Sequence, residues 1–187
     1  PTESRGLGDV YKRQDIGKAI QYRNENKGTL KGFKDATKIS NDELLKLDVD
    51  VLIPAALENA ITEKNVNSIK AKVIVEGANG PTSHEADSII EKNGIIAVPD
   101  ILANAGGVIV SYFEWVQNRL GFKWTKSRVY RRSDSIIKQS FNNVYSISKK
   151  YKVSLRTAAY IAAIDKVSRT YKYRDGSFTF QKNGQNT

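Results

Sequence analysis

The sequence predicts an α/β fold, in which a doubly wound parallel sheet is followed by long C-terminal helices. Apolar runs at 50–53, 71–75 and 95–98 are too short for helices and indicate buried strands. Helical patterns separate these runs, and two longer ones follow at 124–151 and 154–171. This alternation is typical of a parallel sheet, and 187 residues are enough for one domain with a real core.

The connecting elements are predicted from capping signals and periodicity. Ser40-x-x-Glu43 is a capping box that opens a turn of helix through Leu45. Thr62 is expected to cap a helix that reaches Ile69, and Thr82 to cap one that reaches Lys92. His84 falls in the first turn of the latter helix, where we expect it to be solvated. Earlier in the chain we expect a short helix at 16–23 and a short strand at 29–33.

The central stretch, residues 95–118, joins a buried strand to a helix through a loop of small residues. Pro99 ends the strand, and Asn104-Ala105-Gly106-Gly107 then places two residues without Cβ just before a helical pattern. Backbone at such a loop can approach a ligand closely, and open α/β sheets bind ligands beyond the carboxyl ends of their strands. A glycine-softened connection with no ligand is the alternative.

Apolar stripes are expected on the last helices. Four residues recur at helical spacing on the central helix: Ile109, Phe113, Val116 and Leu120. On the second long helix the stripe is Ile137, Phe141, Val144 and Tyr151. The third has one side of large residues and another of alanines for close packing: Tyr160, Ile164, Val167 and Tyr171 against Ala158, Ala159 and Ala162.

Charge and composition exclude several kinds of protein. The net charge of +10 is concentrated late in the chain, where residues 119–187 hold 16 Lys and Arg against 3 Asp and Glu, compared with 14 against 17 before them. We expect an electropositive face rather than nucleic-acid binding, since no nucleic-acid module is readable. Absence of cysteine and a single histidine exclude thiolate and histidine-cluster metal sites. No signal peptide or membrane span is predicted, so we expect a cytoplasmic protein.

Four segments resemble the glutamate dehydrogenases, within the family of glutamate, leucine, phenylalanine and valine dehydrogenases. Their residues read DVLIPAALENAIT at 50–62, VEGANGPTSHEAD at 75–87, PDILANAGGVIVSYFEW at 99–115 and RTAAYIAAIDKV at 156–167. The resemblance covers roughly residues 15–173 and implies an incomplete Rossmann-like fold. Residues 15–174 would then be a partial NAD(P)-binding domain with a C-terminal helical segment. Residues 1–14 would be foreign or artefactual, and residues 175–187 a polar tail.

The resemblance also implies a function and its residues. Such enzymes oxidise L-glutamate to 2-oxoglutarate and ammonia with NAD or NADP, and their catalytic lysine and aspartate belong to a substrate domain that this chain lacks. We therefore expect a fragment without catalytic residues, inactive alone, from an enzyme that forms a homo-oligomer, a hexamer by resemblance. Residues implied to bind cofactor are Ala55, Ala56, Ala78, Asn79, Asn104, Gly106 and Gly107, with Ser111 binding substrate.

Two alternative functions remain open at this point, together with purely structural roles for single residues. A leucine, valine or phenylalanine dehydrogenase would share the fold and the cofactor but bind an apolar side chain, where the Ser111 hydroxyl has no partner. A non-enzymatic interaction module could use the basic helical tail. For single residues, Asn79 could be a turn former, the alanines could serve strand-to-helix packing, and Ser111 could face solvent without a ligand.

Overall fold

The computed structural model describes residues 15–34 and 39–174, and within them it contains seven α-helices and three β-strands. The predictions for residues 1–14 and 175–187 lie outside the described residues. The helices are α1 (Ile16–Glu25), α2 (Asn41–Leu45), α3 (His84–Lys92), α4 (Asp100–Ala103), α5 (Gly106–Leu120), α6 (Lys126–Tyr151) and α7 (Leu155–Arg174). The strands are β1 (Val51–Leu52), β2 (Val73–Val75) and β3 (Ile96–Val98).

The strands form one parallel sheet in the order β1-β2-β3. Val51 is paired with Val73, and Val73 is paired in turn with Ile96. All carboxyl ends in this sheet therefore lie at the same edge, as parallel pairing requires. The predicted α/β class, the parallel sheet and the long helices after it are confirmed.

The chain divides into two compact units, Pro1–Asp100 and Ile101–Thr187. The predicted domain at 15–174 includes parts of both, and that assignment stays a prediction. No helix in the described part of the chain is long and apolar enough to cross a membrane.

The first unit has a core around the sheet. Ile61, Ile74 and Ile90 are essentially unexposed there, and burial of such a side chain contributes about 1.5–3 kcal/mol. The remaining members of this core are Leu52, Val66, Ile69, Ala71 and Ala86. Because β1 and β2 are buried at Leu52 and Ile74, the strands hold their carboxyl ends in fixed register.

In the second unit, α5 packs against α6, and α6 packs against α7. Among the described residues of this unit, the buried apolar side chains are Leu102, Phe113, Val144, Ala158 and Ala159. The predicted alanine side of α7 is thus buried in part. Its other predicted side is exposed: Tyr160, Ile164, Val167 and Tyr171 each show more than half of their surface.

The predicted stripes of α5 and α6 are buried only in part. Phe113 and Val144 are buried, whereas Leu120 at the end of α5 is 67% exposed. On α6, Phe141 and Tyr151 are also exposed. Periodicity shows which residues share a face of a helix, but it does not show which part of that face a neighbouring element covers.

The strand predicted at 29–33 is wrong. Turns precede and enter this segment: Gly28 just before it and Gly32 within it have φ of 81° and 86°, a left-handed conformation that a strand does not contain. The Phe33 N–H donates to the Leu30 carbonyl at 2.9 Å. The Tyr22 hydroxyl of α1 donates to the Lys31 carbonyl at 3.1 Å, which holds the turns against that helix.

The helix predicted from Thr62 to Ile69 is wrong apart from one 3-10 turn, Val66–Ser68. The Asn65 side chain explains the difference. Its Oδ1 accepts from the Thr62 N–H, and its Nδ2 donates to the Ala60 carbonyl, both at 2.9 Å. Asparagine side chains compete with helical hydrogen bonds in this way.

The cap of α3 is displaced by one residue from its predicted position. Ser83, not Thr82, is the N-cap, and its Oγ accepts from the Ala86 N–H at 3.3 Å. Thr82 instead makes a parallel bridge with Ile61, and its Oγ1 is buried with no partner among the described residues. The capping box of α2 is confirmed in both directions between Ser40 and Glu43. His84 is exposed, as predicted.

Candidate functional site

The carboxyl edge of the sheet carries the first group of predicted site residues. Pro54-Ala55-Ala56 follows β1, the loop 76–80 follows β2, and Pro99 follows β3 before α4 begins at Asp100. Parallel pairing brings these three segments to one edge. This is where open α/β sheets hold their ligands.

The loops after β1 and β2 are joined directly through backbone. The Gly77 and Ala78 N–H groups both donate to the Pro54 carbonyl, at 3.0 and 2.9 Å. A Cβ on Gly77 would lie 3.0 Å from the Ala55 Cβ, which is tighter than nearly all real Cβ contacts. The structure thus holds Gly77 and Ala78 against Pro54 and Ala55, and Ala56 follows next in the chain. Ala55 and Ala56 are exposed and Ala78 is half-buried.

Asn79 is exposed on this edge, between two residues whose backbone is fixed. On one side, the Ala78 N–H is bound to Pro54 as described above. On the other, the Gly80 N–H donates to Asp100 Oδ2 at 2.8 Å, and the Gly80 carbonyl accepts from the Asn59 N–H at 2.8 Å. Gly80 has a φ of 55°, which lets the loop turn there. The Asn79 amide can donate and accept at once.

Glu76 is a residue of this edge that the sequence reasoning missed. It is 0% exposed, and its Oε2 accepts from the Asp100 N–H at 2.9 Å. Its own N–H donates to the Val98 carbonyl at 3.1 Å. One signal in the sequence could have found it. Glu76 directly follows the apolar strand β2, and Asp100 follows β3 after one intervening residue, so two carboxylates stand at the ends of neighbouring strands.

The second group of predicted residues surrounds the start of α5. Asn104 is half-buried, and its carbonyl accepts from the Gly107 N–H at 3.4 Å. A Cβ on Gly106 would make an ordinary contact with Ile137 Cδ1 at 3.8 Å. Around Gly107, apart from the backbone of α5 itself, no atom of the described residues lies within 4 Å of such a Cβ. Gly107 therefore borders open space.

Ser111 lies on an exposed face of α5. Its Oγ donates to the Val108 carbonyl at 3.0 Å, one turn back in the same helix. A hydroxyl has one proton to donate, so Ser111 must release this bond before it can donate to a ligand. The residue is accessible, but its hydroxyl is already engaged.

Several cations of the basic C-terminal third have local roles within the second unit. The guanidinium groups of Arg128 and Arg132 lie 4.7 and 4.5 Å from the Trp124 ring centroid. Arg169 and Lys138 pair with aspartates one helical turn away, Asp165 and Asp134. These contacts account for part of the positive charge without a nucleic acid, and the absence of nucleic-acid binding stays a prediction.

The family model for glutamate/leucine/phenylalanine/valine dehydrogenase matches residues 3–175. The chain belongs to this dehydrogenase family. The matched range starts inside the segment 1–14, whose foreign origin stays a prediction.

Members of the dehydrogenase family include close curated relatives. The chain is 50% identical over 173 residues to the glutamate dehydrogenase of Thermotoga maritima. This match covers 91% of the present chain and 41% of the Thermotoga protein. It is 46% identical to the cryptic catabolic NAD-specific glutamate dehydrogenase GudB of Bacillus subtilis, and that match covers 90% of the present chain and 40% of GudB. The chain thus spans about two-fifths of the length of these relatives.

Solved structures of the dehydrogenase family have the same fold. Glutamate dehydrogenase from Peptoniphilus asaccharolyticus is 35% identical, with a TM-score of 0.72 over 88% of this chain and 37% of that one. The hetero-hexameric glutamate dehydrogenase from Thermus thermophilus, in its Leu-bound form, is 26% identical, with a TM-score of 0.81. The superposition covers 90% of the present chain and 40% of the Thermus chain. These likenesses confirm the predicted incomplete Rossmann-like, doubly wound fold.

The residues at the carboxyl edge fit a nicotinamide dinucleotide. Ala55 and Ala56 leave the edge exposed without long side chains, so a flat ring or a ribose can lie against them. Asn79 offers both hydrogen-bond functions that a carboxamide or ribose hydroxyl needs. The open space at Gly107 would likewise admit a ligand close to the backbone of α5.

Proposed function

We propose that this chain is the cofactor-binding part of a glutamate dehydrogenase, which oxidises L-glutamate to 2-oxoglutarate and ammonia with NAD or NADP. Family membership supports an amino-acid dehydrogenase. The curated relatives described above carry the name glutamate dehydrogenase. Since the chain spans only about two-fifths of their length, activity is proposed for the longer protein and not for the chain alone.

One observation carries the proposal most directly, namely the surface of small residues with Asn79 at the carboxyl edge of the sheet. Two backbone bonds to Pro54 hold Gly77 and Ala78 beside Ala55. The edge is thereby fixed before a ligand arrives, and pre-organisation reduces the entropy cost of binding. Asn79 would orient the nicotinamide half of the cofactor there, and Ala55, Ala56 and Ala78 would keep the approach open.

Residues at the start of α5 are proposed to bind cofactor as well. Asn104 would present its amide to the cofactor, and Gly106 and Gly107 would let the backbone of α5 come close to it. A bound NAD or NADP would supply the hydride acceptor, and Asn104, Gly106 and Gly107 would help to hold and orient it. Groups that move protons belong to the substrate domain in the resembling enzymes, so we assign no catalytic residue here.

Ser111 would distinguish glutamate from leucine, valine or phenylalanine. It is exposed and can donate a hydrogen bond to a carboxylate, for which an apolar side chain offers no acceptor. NAD is favoured over NADP as cofactor, since relatives from Bacillus subtilis and Clostridioides difficile are named NAD-specific.

The complete protein is proposed to be a cytoplasmic homo-oligomer, with a hexamer as the expected state. The hetero-hexameric glutamate dehydrogenase of Thermus thermophilus supports this number of subunits. Light scattering on the complete protein would measure it, and a monomer in solution would contradict it.

A chimeric enzyme tests the proposed function. In it, residues 15–174 of this chain replace the matching segment of the Thermotoga maritima enzyme, which supplies the rest of the protein. We expect glutamate-dependent reduction of NAD or NADP by this chimeric enzyme and none by the 187-residue chain alone. Reduction with leucine in preference to glutamate would contradict the substrate, and a folded chimeric enzyme that binds neither cofactor would contradict the proposal as a whole.

A further inference from the structure

We propose that Glu76 and Asp100 are positioning residues, which together hold Asn79 in the conformation that binds cofactor. This inference rests on the proposed function, because it names what fixes a residue of that site. The two side chains form a chain of hydrogen bonds across the carboxyl edge. Glu76 Oε2 accepts from the Asp100 N–H at 2.9 Å, and Asp100 Oδ2 accepts from the Gly80 N–H at 2.8 Å.

The first link fixes Asp100 to the end of β2. Glu76 immediately follows β2, and its N–H donates to the Val98 carbonyl at the end of β3. Its side chain binds the backbone of Asp100, where α4 begins. Backbone and side chain of Glu76 therefore both attach the β2 loop to the segment after β3.

The second link returns from Asp100 to the loop beyond Asn79. Gly80 is held at its N–H by Asp100 and at its carbonyl by Asn59, while Ala78 is held by Pro54. Asn79 thus lies between two anchored residues. Loss of the Asp100 bond would leave Gly80 held at its carbonyl alone, and the loop could then sample conformations in which Asn79 no longer orients the cofactor.

Burial of Glu76 indicates that the link has a role besides stability. A carboxylate with 0% exposure carries a desolvation cost, and apolar replacements for buried charged groups are often neutral or stabilising. An apolar residue at position 76 would fill the same space but could not accept from Asp100.

The test compares Asp100→Ala with Asp100→Asn, which keeps an acceptor for the Gly80 N–H. Asp50→Ala is the matched control. Asp50 Oδ1 also makes a 2.8 Å bond, to Lys72, but Asp50 precedes β1 and so lies at the opposite edge of the sheet.

If the loop conformation that binds cofactor falls to about a tenth of the population, the apparent Kd rises about 10-fold. In the chimeric enzyme we expect Asp100→Ala to raise the Kd of NAD about 10-fold, with the KM for glutamate at saturating NAD unchanged.

Hydrogen exchange gives a readout that does not depend on activity. In the 187-residue chain, the segment 76–80 should exchange faster in Asp100→Ala than in the parent, Asp100→Asn or Asp50→Ala chains. Glu76→Leu, which cannot accept from the Asp100 N–H, should change the Kd in the same direction; because Glu76 is buried and this variant could unfold, the Asp100 pair decides the outcome. An unchanged Kd for NAD in folded Asp100→Ala overturns this inference alone. Failure of the parent chimeric enzyme to bind NAD or NADP overturns the proposed function and this inference with it.

Discussion

Replacement of Ser111 by alanine tests the choice of substrate. If the Ser111 hydroxyl binds the side-chain carboxylate of glutamate, Ser111→Ala removes a hydrogen bond to a charged group, worth about 1.5–3 kcal/mol. The structure lowers this figure. Before substrate binds, the same hydroxyl donates to the Val108 carbonyl at 3.0 Å, and that bond must be exchanged.

The net effect follows from this exchange. A neutral intramolecular hydrogen bond contributes about 1 kcal/mol, so the carboxylate bond gains only about 0.5–2 kcal/mol over the bond it replaces. In kcat/KM for glutamate, Ser111→Ala should therefore cost roughly 2- to 30-fold. The Kd of the cofactor should be unchanged.

The assay is steady-state kinetics of the chimeric enzyme with glutamate and with norvaline, which lacks the side-chain carboxylate. Ser111→Thr keeps a hydroxyl and should retain most of the glutamate activity. Ser146→Ala is the matched control, because the Ser146 Oγ also donates to a carbonyl of its own helix, Asn142 at 2.8 Å, and is exposed. Equal losses with glutamate and norvaline would refute the substrate role of Ser111, and so would no loss with either.

Three further predictions concern other parts of the molecule. Gly107→Ala should stabilise α5 by about 0.5–1 kcal/mol, measured by thermal unfolding. If a cofactor occupies the open space beside Gly107, the same substitution should weaken cofactor binding roughly 5- to 150-fold. Equal cofactor affinity in the variant and the parent would remove Gly107 from the site. Asn104→Ala should lower kcat/KM of the chimeric enzyme by about 10²-fold through lost orientation, and unchanged kinetics would leave Asn104 a structural residue. Hydrogen bonds from the backbone N–H and the hydroxyl of Ser40 lower the pKa of Glu43. The stability that this capping box gives α2 should therefore be present above the ordinary glutamate pKa and be lost as pH falls through the lowered pKa of Glu43. NMR shifts of α2 that do not follow Glu43 protonation would contradict this.

Much of the fold could be predicted from sequence because its signals are local. The strands were recognised as short apolar runs that end at Pro54 or Pro99 or at a loop with glycine. The capping box between Ser40 and Glu43 needed only the spacing of two residues. Local propensity and the tertiary fold agree at these positions, which is where prediction from sequence is reliable.

The errors occurred where a side chain competes with a helix or where the chain turns. Asn65 binds backbone groups on both sides of itself and limits the predicted helix to a 3-10 turn. Gly28 and Gly32 adopt positive φ and replace the predicted strand by turns. Residue type alone does not say whether an asparagine binds backbone or a glycine turns.

The site shows the same limit. Resemblance to the family pointed to Asn79 and its neighbours, but it did not reveal what holds them. Glu76 binds a residue 24 positions later in the chain, and Asp100 binds one 20 positions earlier. Such bonds depend on the sheet order β1-β2-β3, so they become visible only once the strands are paired.

A crystal structure of the chimeric enzyme with bound NAD tests the central claim most directly, namely that the carboxyl edge of this sheet receives the nicotinamide half of a cofactor. We expect the Asn79 amide within hydrogen-bond distance of the cofactor, about 2.7–3.2 Å, and Ala55 and Ala56 in van der Waals contact with it. A cofactor bound elsewhere, with Asn79 and both alanines in contact only with solvent, would contradict the claim.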